Sequence, residues 1–261
     1  MAGILYDSIV YGPVSSRRFG ISLGINVLPE HMKFCSFDCI YCEVGWKSRD
    51  PDHEGMDLFN SRTDIHYSLE QRLIDLNERE VFLDSITFSG NGEPTMHPEF
   101  AGIMEDTDRL RGHYMPDASL TVLSNSTTLD NPAVFASLMK NNNNVMKLDA
   151  GSEYLFRLIN QPVRSITLEK IVKNLKRFNG NLIIQSMFLR GEHLGRRVDN
   201  TTTEEVGQWL GHIRQIAPRR VMLYSIDRAT PIHTIEKVPR EELQQIAEKV
   251  RAAGIDALSY S

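Results

Sequence analysis

All three cysteines of this 261-residue sequence, Cys35, Cys39 and Cys42, lie within eight residues of one another. Their spacing is Cys-x3-Cys-x2-Cys, and Tyr41 stands directly before the last one. Thiolates are ligands for zinc and for iron–sulfur clusters. An odd number of closely spaced cysteines fits metal binding better than a disulfide framework. The sequence therefore predicts a metal centre in this stretch.

Three interpretations of the cysteine stretch differ in what the thiols contact. A zinc site would need a fourth ligand, which His31 could provide, but zinc ligands usually come as two separated pairs. A [4Fe–4S] cluster would use the three thiolates and leave one iron open, because the sequence has no fourth cysteine. Alternatively, the thiols could form one buried face of a helix. We favour the open cluster, and the alternative from another functional class is a zinc-binding Cys3His interaction protein.

The rest of the sequence alternates short apolar strands with helical segments about six times. Strands are predicted at 20–27, 84–88, 119–123, 145–148, 181–188, 220–225 and 255–260. Helices are predicted from a start signature at 68–71 and at 98–110, 131–139, 153–159, 167–178, 203–216 and 239–253. This alternation favours a parallel sheet covered by helices, either a partial barrel or an open doubly wound sheet. Both architectures place their sites at the C-terminal ends of the strands.

Three further segments carry polar or irregular patterns. We expect residues 1–19 to be irregular, residues 47–61 to form a polar surface excursion, and the four asparagines at 141–144 to form a loop. The net charge of −5 provides no overall basic field for nucleic acid, so no DNA partner is expected. No apolar run is long enough for a bilayer, and residues 1–10 show no signal peptide. We expect a cytoplasmic protein with no membrane partner.

The cysteine stretch, placed after the first strand of a βα series, resembles the radical S-adenosylmethionine (radical SAM) superfamily. The resemblance implies an α/β fold with a partial (β/α)6 barrel of parallel strands. We expect one domain over 1–261, with an N-terminal extension (1–19), a barrel core (20–226) and a C-terminal helix and tail (227–261). The implied cofactors are a [4Fe–4S] cluster and S-adenosyl-L-methionine (SAM). In this family one electron from the cluster cleaves SAM, and the resulting 5′-deoxyadenosyl radical takes a hydrogen atom from the substrate.

A second motif supports this resemblance. The segment 89–95 (Ser-Gly-Asn-Gly-Glu-Pro-Thr) is similar to the family's Gly-Gly-Glu motif, which binds the amino group of SAM. Glycines allow a close backbone approach, and a carboxylate accepts hydrogen bonds from an ammonium group. The alternative is a tight turn with an exposed Glu93. The resemblance implies that the cofactor is bound by residues in this motif and at the strand ends: Tyr41, Gly90, Asn91, Gly92, Glu93, Ser124, Asn125, Lys147, Asp149, Gln185 and Met187.

A narrower resemblance concerns the substrate. Residues 12–25, the cysteines, residues 89–98 and residues 224–228 are similar to the radical enzymes of wyosine-type tRNA modification, without their extra domains. Tyr224, Asp227 and Arg228 are the substrate-side candidates, with a structural Asp–Arg pair as the alternative. Arg17 and Arg18 could bind a phosphate or carboxylate, or tie the N-terminal segment to the barrel.

Three partner and substrate expectations follow from these resemblances. The electron donor would be an external protein of flavodoxin or ferredoxin type. The substrate would be a nucleobase, a tRNA or a small molecule, and the alternative reaction is activation of a glycyl-radical enzyme. All three thiols are used by one cluster, so none remains for an auxiliary cluster.

Overall fold

The computed structural model describes residues 4–47, 59–141, 143–163 and 165–260. The strands are β1 (Val10–Ser16), β2 (Gly20–Ile25), β3 (Ser85–Phe88), β4 (Ser119–Ser124), β5 (Asn143–Lys147), β6 (Ile183–His193), β7 (Arg196–Asp199), β8 (Arg220–Ser225), β9 (Ile235–Lys237) and β10 (Asp256–Tyr260). The helices are α1 (Arg62–Glu78), α2 (Phe100–Tyr114), α3 (Pro132–Lys140), α4 (Glu153–Ile159), α5 (Leu168–Lys176), α6 (Thr203–Ile216) and α7 (Arg240–Ala252). A short 3₁₀ helix spans Pro94–Met96.

One sheet connects these strands, and its main path is parallel. The order is β1-β2-β3-β4-β5-β6-β8-β10, and every pair from β2 to β10 runs parallel. One or two helices follow each strand from β2 to β8 along this path, which gives six β/α units and then β10. The expectation of an α/β fold with a parallel partial barrel is therefore confirmed. The C-terminal segment contributes β10, the seventh parallel strand, in addition to a helix.

Strand alternation separates an apolar outer face from a polar inner one. In β3, Ile86 and Phe88 are fully buried and belong to the large apolar core beneath the helices. Ser85 and Thr87 alternate with them, and their hydroxyls contact each other at 3.1 Å. The Thr87 hydroxyl also lies 2.8 Å from that of Ser22 on β2. Hydroxyl pairs satisfy these polar atoms away from bulk water, so the interior of the barrel can remain polar near its centre.

Helix α1 begins earlier than the sequence indicated. Ser61 is its N-cap, and the Ser61 hydroxyl accepts a hydrogen bond from the backbone N–H of Asp64 at 3.1 Å. The predicted start at Ser68 is wrong because the cap at Ser61 satisfies the first free N–H groups one to two turns earlier. The buried residues Ile65, Leu69, Leu73 and Leu76 then form one face of the helix against the sheet.

The N-terminal extension and the asparagine run also differ from expectation. Residues 10–16, predicted to be irregular, form β1, which pairs antiparallel with β2 and contains a bulge between Tyr11 and Val14. Gly12 and Pro13 interrupt the alternation of apolar and polar residues there, so the sequence pattern did not predict a strand. Asn143 and Asn144 belong to β5 rather than to a loop, because the buried Asn144 amide donates to the carbonyls of Leu138 and Asn141 at 2.7 and 3.1 Å.

Strand β6 is longer than predicted, and its extra residues form a small antiparallel lobe. Residues 190–193 of β6 pair with β7, and residues 189–191 pair with β9. Most of the expected polar excursion at 47–61 lies outside the described residues, as does residue 142 of the asparagine run. Among the described residues, none of the helices has the length and apolar character of a membrane span.

Candidate active site

The three cysteines lie on an irregular loop between β2 and α1, so the interpretation as a helical face is wrong. All three line one cavity of about 270 Å³ at the C-terminal ends of the parallel strands, which we call the cysteine cavity. Lys33 holds the two ends of this loop together, since its ammonium group donates to the carbonyl of Gly45 at 2.7 Å and to the Asp38 carboxylate at 3.0 Å.

Amide groups from distant parts of the chain point at the sulfur atoms. Asn125, after β4, places its Nδ2 3.4 Å from Cys35 Sγ, and Asn160, after α4, places its Nδ2 3.4 Å from Cys39 Sγ. The backbone N–H of Phe37 also donates to Cys35 Sγ at 3.4 Å. Such donors stabilise negative charge on sulfur. The site is therefore prepared for thiolates rather than for neutral thiols.

Burial works against ionisation of the metal-free thiols. It raises the pKa of Cys35 to about 12, with a further contribution from the nearby Glu93, and it raises the pKa of Cys39 to about 11. Thiolate is the form that binds metal, so the positive charge of a metal centre must offset the cost of burial. Metal binding at this loop is consequently coupled to the release of protons.

The glycine–glutamate loop, residues 89–95, packs directly against the cysteine loop. The Phe34 N–H donates to the Asn91 carbonyl at 2.8 Å, and the Glu93 N–H donates to the Phe34 carbonyl at 3.0 Å. Gly92, which lies between these bonds, has a φ of +145°, and a Cβ there would collide with the Phe34 carbonyl oxygen. Only glycine allows the two loops to approach this closely.

Glu93 is 2% exposed, so the alternative of a turn with an exposed glutamate is wrong. Its carboxylate accepts hydrogen bonds from the Ser124 hydroxyl at 2.8 Å and from the backbone N–H groups of Asn125 and Thr95 at 2.5 and 3.2 Å. Burial raises the pKa of Glu93, and these hydrogen bonds partly counteract that effect. Glu93 lines the cysteine cavity and presents a buried acceptor there.

A network of charged and phenolic groups forms the opposite wall of the cavity. Lys147 Nζ lies 2.7 Å from the Tyr41 hydroxyl, 3.4 Å from the Tyr224 hydroxyl and 3.7 Å from the Asp149 carboxylate. The Tyr41 hydroxyl donates to Asp149, which also accepts from the Asn160 amide at 2.7 Å. Burial opposes the charge of Lys147, but Asp149 and Tyr224 raise its pKa above the ordinary value. Lys147 is therefore a persistent cation.

Most of the residues implied for the cofactor come together at the cysteine cavity. The residues that line it are Tyr41, Gly90, Gly92, Glu93, Ser124, Asn125, Lys147, Gln185 and Met187, in addition to the cysteines and Tyr224. Asp149 is 1% exposed and lies behind Tyr41. The Asn91 side chain is fully buried: its oxygen accepts the N–H of Tyr6 in the N-terminal segment at 2.8 Å, and its amide donates to the carbonyl of Pro29, after β2, at 2.9 Å.

Of the three substrate-side candidates, Tyr224 lines the cysteine cavity, but Asp227 and Arg228 do not. Asp227 and Arg228 line an adjoining cavity of about 410 Å³, the barrel cavity, which shares Tyr41, Tyr224 and several other residues with the cysteine cavity. Asp227 contacts Arg17 at 2.8 Å, and Arg228 contacts Glu43 at 2.8 Å. Each therefore has a partner elsewhere, and the alternative of a mutual Asp–Arg pair is not observed.

Three site residues were not singled out for the cavity from the sequence. Lys33 and Arg18 line the cysteine cavity, and Asn160 donates to a cysteine sulfur. The position of Lys33, two residues before Cys35, is a weak local signal. Asn160 has none, because its contact with Cys39 depends on how α4 packs against the cysteine loop.

The zinc alternative lacks its fourth ligand at this site. His31 is exposed and is not among the residues that line the cysteine cavity. Within the part of the chain that the structure describes, no group of three histidine, cysteine or acidic side chains converges closely enough to hold a single metal ion. Three thiols spread around one cavity, with N–H donors at the sulfurs of Cys35 and Cys39, fit the larger [4Fe–4S] cluster.

Sequence relatives agree with this geometry. Residues 30–200 match the Radical SAM superfamily. A UPF0026 protein of Synechocystis sp. is 31% identical over 271 residues, which cover 94% of this chain and 92% of that protein. A protein of Brachyspira hyodysenteriae named GTPase Obg is 29% identical over 240 residues. That match includes 90% of this chain but only 32% of the Brachyspira protein, so the chain spans about a third of that relative's length.

Solved structures show the same fold at low sequence identity. A radical SAM methyltransferase from Sphaerobacter thermophilus has a TM-score of 0.66 at 14% identity, covering 92% of this chain and 65% of that one. TYW1 with a bound lysine–pyruvate adduct has a TM-score of 0.61 at 14% identity, covering 88% and 73%. These likenesses concern the fold alone.

The sequence match over residues 30–200 and the geometry of the cysteine cavity indicate the same protein family. Radical SAM proteins are enzymes that use a [4Fe–4S] cluster and SAM, and they need a source of electrons and a substrate. The open cluster is thus the interpretation of the cysteine stretch that is confirmed, and the zinc-binding interaction protein is set aside. The chain belongs to the radical SAM superfamily and, within it, to the UPF0026 proteins.

Proposed function

We propose that this enzyme uses one [4Fe–4S] cluster to cleave SAM reductively and to remove a hydrogen atom from a small-molecule substrate held in the barrel cavity. The packing of two loops supports this proposal most directly. The cysteine loop and the glycine–glutamate loop are joined by the backbone bridge at Phe34 and Gly92, so the three thiols and the Glu93 carboxylate face one cavity. When bound, the cluster and SAM supply a 5′-deoxyadenosyl radical.

The residues of the chain have distinct roles in this proposal. Cys35, Cys39 and Cys42 hold the cluster, while Asn125 and Asn160 donate hydrogen bonds to the sulfurs. Glu93 accepts hydrogen bonds from the ammonium group of SAM. Lys147, Tyr41 and the strand-end residues Ser124, Gln185 and Met187 line the remaining wall and orient the cofactor. Enclosure by the barrel keeps water away from a reactive intermediate.

The rim of the cavities favours a small molecule over a tRNA. Two arginines that line the barrel cavity each contact a carboxylate, Arg17 with Asp227 and Arg228 with Glu43, and in the β6–β7 pairing Arg190 contacts Glu242 and Arg197 contacts Asp199. These pairs remove the excess positive charge that a polyanionic backbone requires. A nucleobase that enters as a free nucleotide still fits the barrel cavity. An external flavodoxin or ferredoxin would supply the electron.

The test is SAM cleavage by protein reconstituted anaerobically with iron and sulfide and then reduced. The wild-type chain is expected to bind about four irons, as one [4Fe–4S] cluster requires, and to form 5′-deoxyadenosine. Cys39→Ala should lose both properties. Ser137→Ala, which removes a hydroxyl on α3 that donates to the carbonyl of Val134 on the same helix, serves as the control and should retain both. A wild-type chain that binds the cluster but yields no 5′-deoxyadenosine would overturn the proposal.

A further inference from the structure

Arg18 lies in the tight turn between β1 and β2, inside the mouth of the barrel. The Ser16 hydroxyl accepts the backbone N–H groups of Arg18 and Phe19 at 3.3 and 3.2 Å. The backbone N–H of Ile21 donates to the Asp84 carboxylate at 2.7 Å, which ties the turn to the barrel wall. These contacts fix the backbone from which the Arg18 side chain extends.

The neighbouring Arg17 closes the turn onto the opposite side of the barrel. Its guanidinium group lies 2.8 Å from Asp227, in the segment after β8. The turn at the β1 edge is thus joined to the last part of the barrel, across the gap between the two sheet edges. Arg17 is used for this connection, which is one of the two roles that the sequence allowed for the arginine pair.

The Arg18 side chain has a different environment. It lines both the cysteine cavity and the barrel cavity. Its guanidinium carbon lies 5.3 Å from the centre of the Tyr224 ring and 5.4 Å from that of the Phe19 ring. Its Nη1 atom is buried and has no hydrogen-bond partner among the described residues. A buried cationic donor without an acceptor is costly, so its presence calls for a ligand.

The other cations of the two cavities are neutralised. Lys33, Lys147, Arg17 and Arg228 each lie within 4 Å of a carboxylate, at 3.0, 3.7, 2.8 and 2.8 Å. In the described parts of the chain, no ion pair involves Arg18. A single uncompensated guanidinium group in a cavity, stacked on aromatic rings, is suited to bind one anionic group through two parallel N–H bonds.

We propose that Arg18 is the anion subsite of the substrate, which therefore carries a phosphate or carboxylate group. The inference rests on the proposed function and specifies its substrate class. An anion bound to Arg18 lies where the two cavities join, so the rest of the molecule can extend beside Tyr224 toward the cysteine cavity. The subsite belongs to the N-terminal turn rather than to the strand ends of the barrel.

The experiment measures anion binding by titration calorimetry on the reconstituted full chain at constant ionic strength with saturating SAM. The probes are inorganic phosphate and acetate, which distinguish a phosphate subsite from a carboxylate subsite. At least one is expected to bind. Arg18→Gln should weaken that binding about tenfold or more, as expected for a charge-assisted hydrogen bond. Arg18→Lys, which keeps the charge but loses the planar fork, should weaken binding less.

Arg79→Gln is the matched control, because it removes the same charge from an exposed site at the end of α1, where Arg79 pairs with Asp75. It should leave the affinity for the probe within about twofold, since Arg79 lines neither cavity and its charge is exposed to solvent. Two results would overturn the proposal: neither probe binds in the presence of SAM, or Arg79→Gln and Arg18→Gln weaken binding equally. The measurement requires no turnover, so its failure is distinct from a failure to form 5′-deoxyadenosine.

Discussion

At the scale of single residues, Gly92 determines how closely the cysteine loop and the glycine–glutamate loop approach each other. Its neighbours Asn91 and Glu93 exchange backbone hydrogen bonds with Phe34, immediately before the first cysteine. A side chain at position 92 would enter the space of the Phe34 carbonyl, and the φ of +145° is unfavourable for any residue with a Cβ.

We predict that Gly92→Ala lowers the free energy of unfolding by about 2–3 kcal/mol, through backbone strain and the displaced bridge. Gly112 is the matched control: it lies on an exposed part of α2, and a Cβ there meets no atom within 4 Å. Gly112→Ala should raise the free energy of unfolding by about 0.5–1 kcal/mol, because alanine favours the helix. Urea denaturation measures both changes. A Gly92→Ala chain as stable as wild type would contradict the role given to Gly92.

Asn160 also acts at the residue scale, through its hydrogen bond to Cys39. Donors to sulfur stabilise the more negative, reduced form of a cluster. We therefore predict that Asn160→Ala shifts the midpoint potential of the reconstituted cluster to a more negative value, as measured by a potentiometric titration followed by electron paramagnetic resonance. Asn174→Ala is the control, since this buried asparagine on α5 bonds to Asp130 instead. An unchanged or more positive potential in Asn160→Ala would refute the prediction.

The sequence was most informative about residues whose chemistry is local. The cysteines were predicted from their type and spacing, and the Gly92–Glu93 pair from its resemblance to the family motif, and both line the cysteine cavity. Asn160 and Arg18 could not be placed in the same way. Their side chains reach the cavities only because α4 and the β1–β2 turn pack there, and such long-range contacts leave no periodic signal in one sequence.

At the scale of helices and strands, hydrophobic periodicity predicted the parallel strands and the seven helices of the described residues. It misplaced the first or last residues of some of them. Strand β1 was not predicted because Gly12 and Pro13 interrupt its alternation of apolar and polar residues. The predicted start of α1 lies too far along the chain because the N-cap of the helix is Ser61. The start of β5 was missed because Asn143 and Asn144 favour turns by composition, whereas the buried hydrogen bonds of Asn144 hold them in the strand.

The contact between α1 and α2 provides a prediction about pH. Arg62 on α1 forms two hydrogen bonds with Asp106 on α2, at 2.5 and 3.0 Å. The Arg62 hydrogen bonds hold the pKa of Asp106 below its ordinary value despite burial. The ion pair therefore stabilises the fold above the unfolded-state pKa of about 3.9. This contribution is lost as the pH falls through the lower folded-state pKa.

We predict that Asp106→Asn lowers the free energy of unfolding by about 1 kcal/mol at pH 7, since Arg62 is partly exposed and the pair is screened. The difference from wild type should shrink as the pH falls below about 4. Urea denaturation at pH 7, 5 and 3.5 measures it. Asp108→Asn, an exposed acid on the same helix, is the control and should have a smaller effect. A difference that stays constant over this pH range would contradict the linkage.

At the scale of the whole molecule, the sheet is an incomplete barrel with β1 at one edge and β10 at the other. The Arg17–Asp227 contact joins the turn beside β1 to the segment after β8. Six apolar strands separated by helices limited the prediction to a partial barrel or an open doubly wound sheet, and the resemblance to the radical SAM family then indicated the partial (β/α)6 barrel. The two joined cavities could not be predicted from the sequence, because their shape depends on side chains from almost every strand.

We propose that three thiolates leave one iron open and that the glycine–glutamate loop presents SAM to it. The most direct test is electron paramagnetic resonance of the reduced, reconstituted chain with SAM that carries ¹⁵N in its amino group. We expect SAM to change the cluster spectrum, and we expect the spectrum to show hyperfine coupling to ¹⁵N. A spectrum that is unchanged by SAM and shows no such coupling would mean that the amino group of SAM does not bind the cluster.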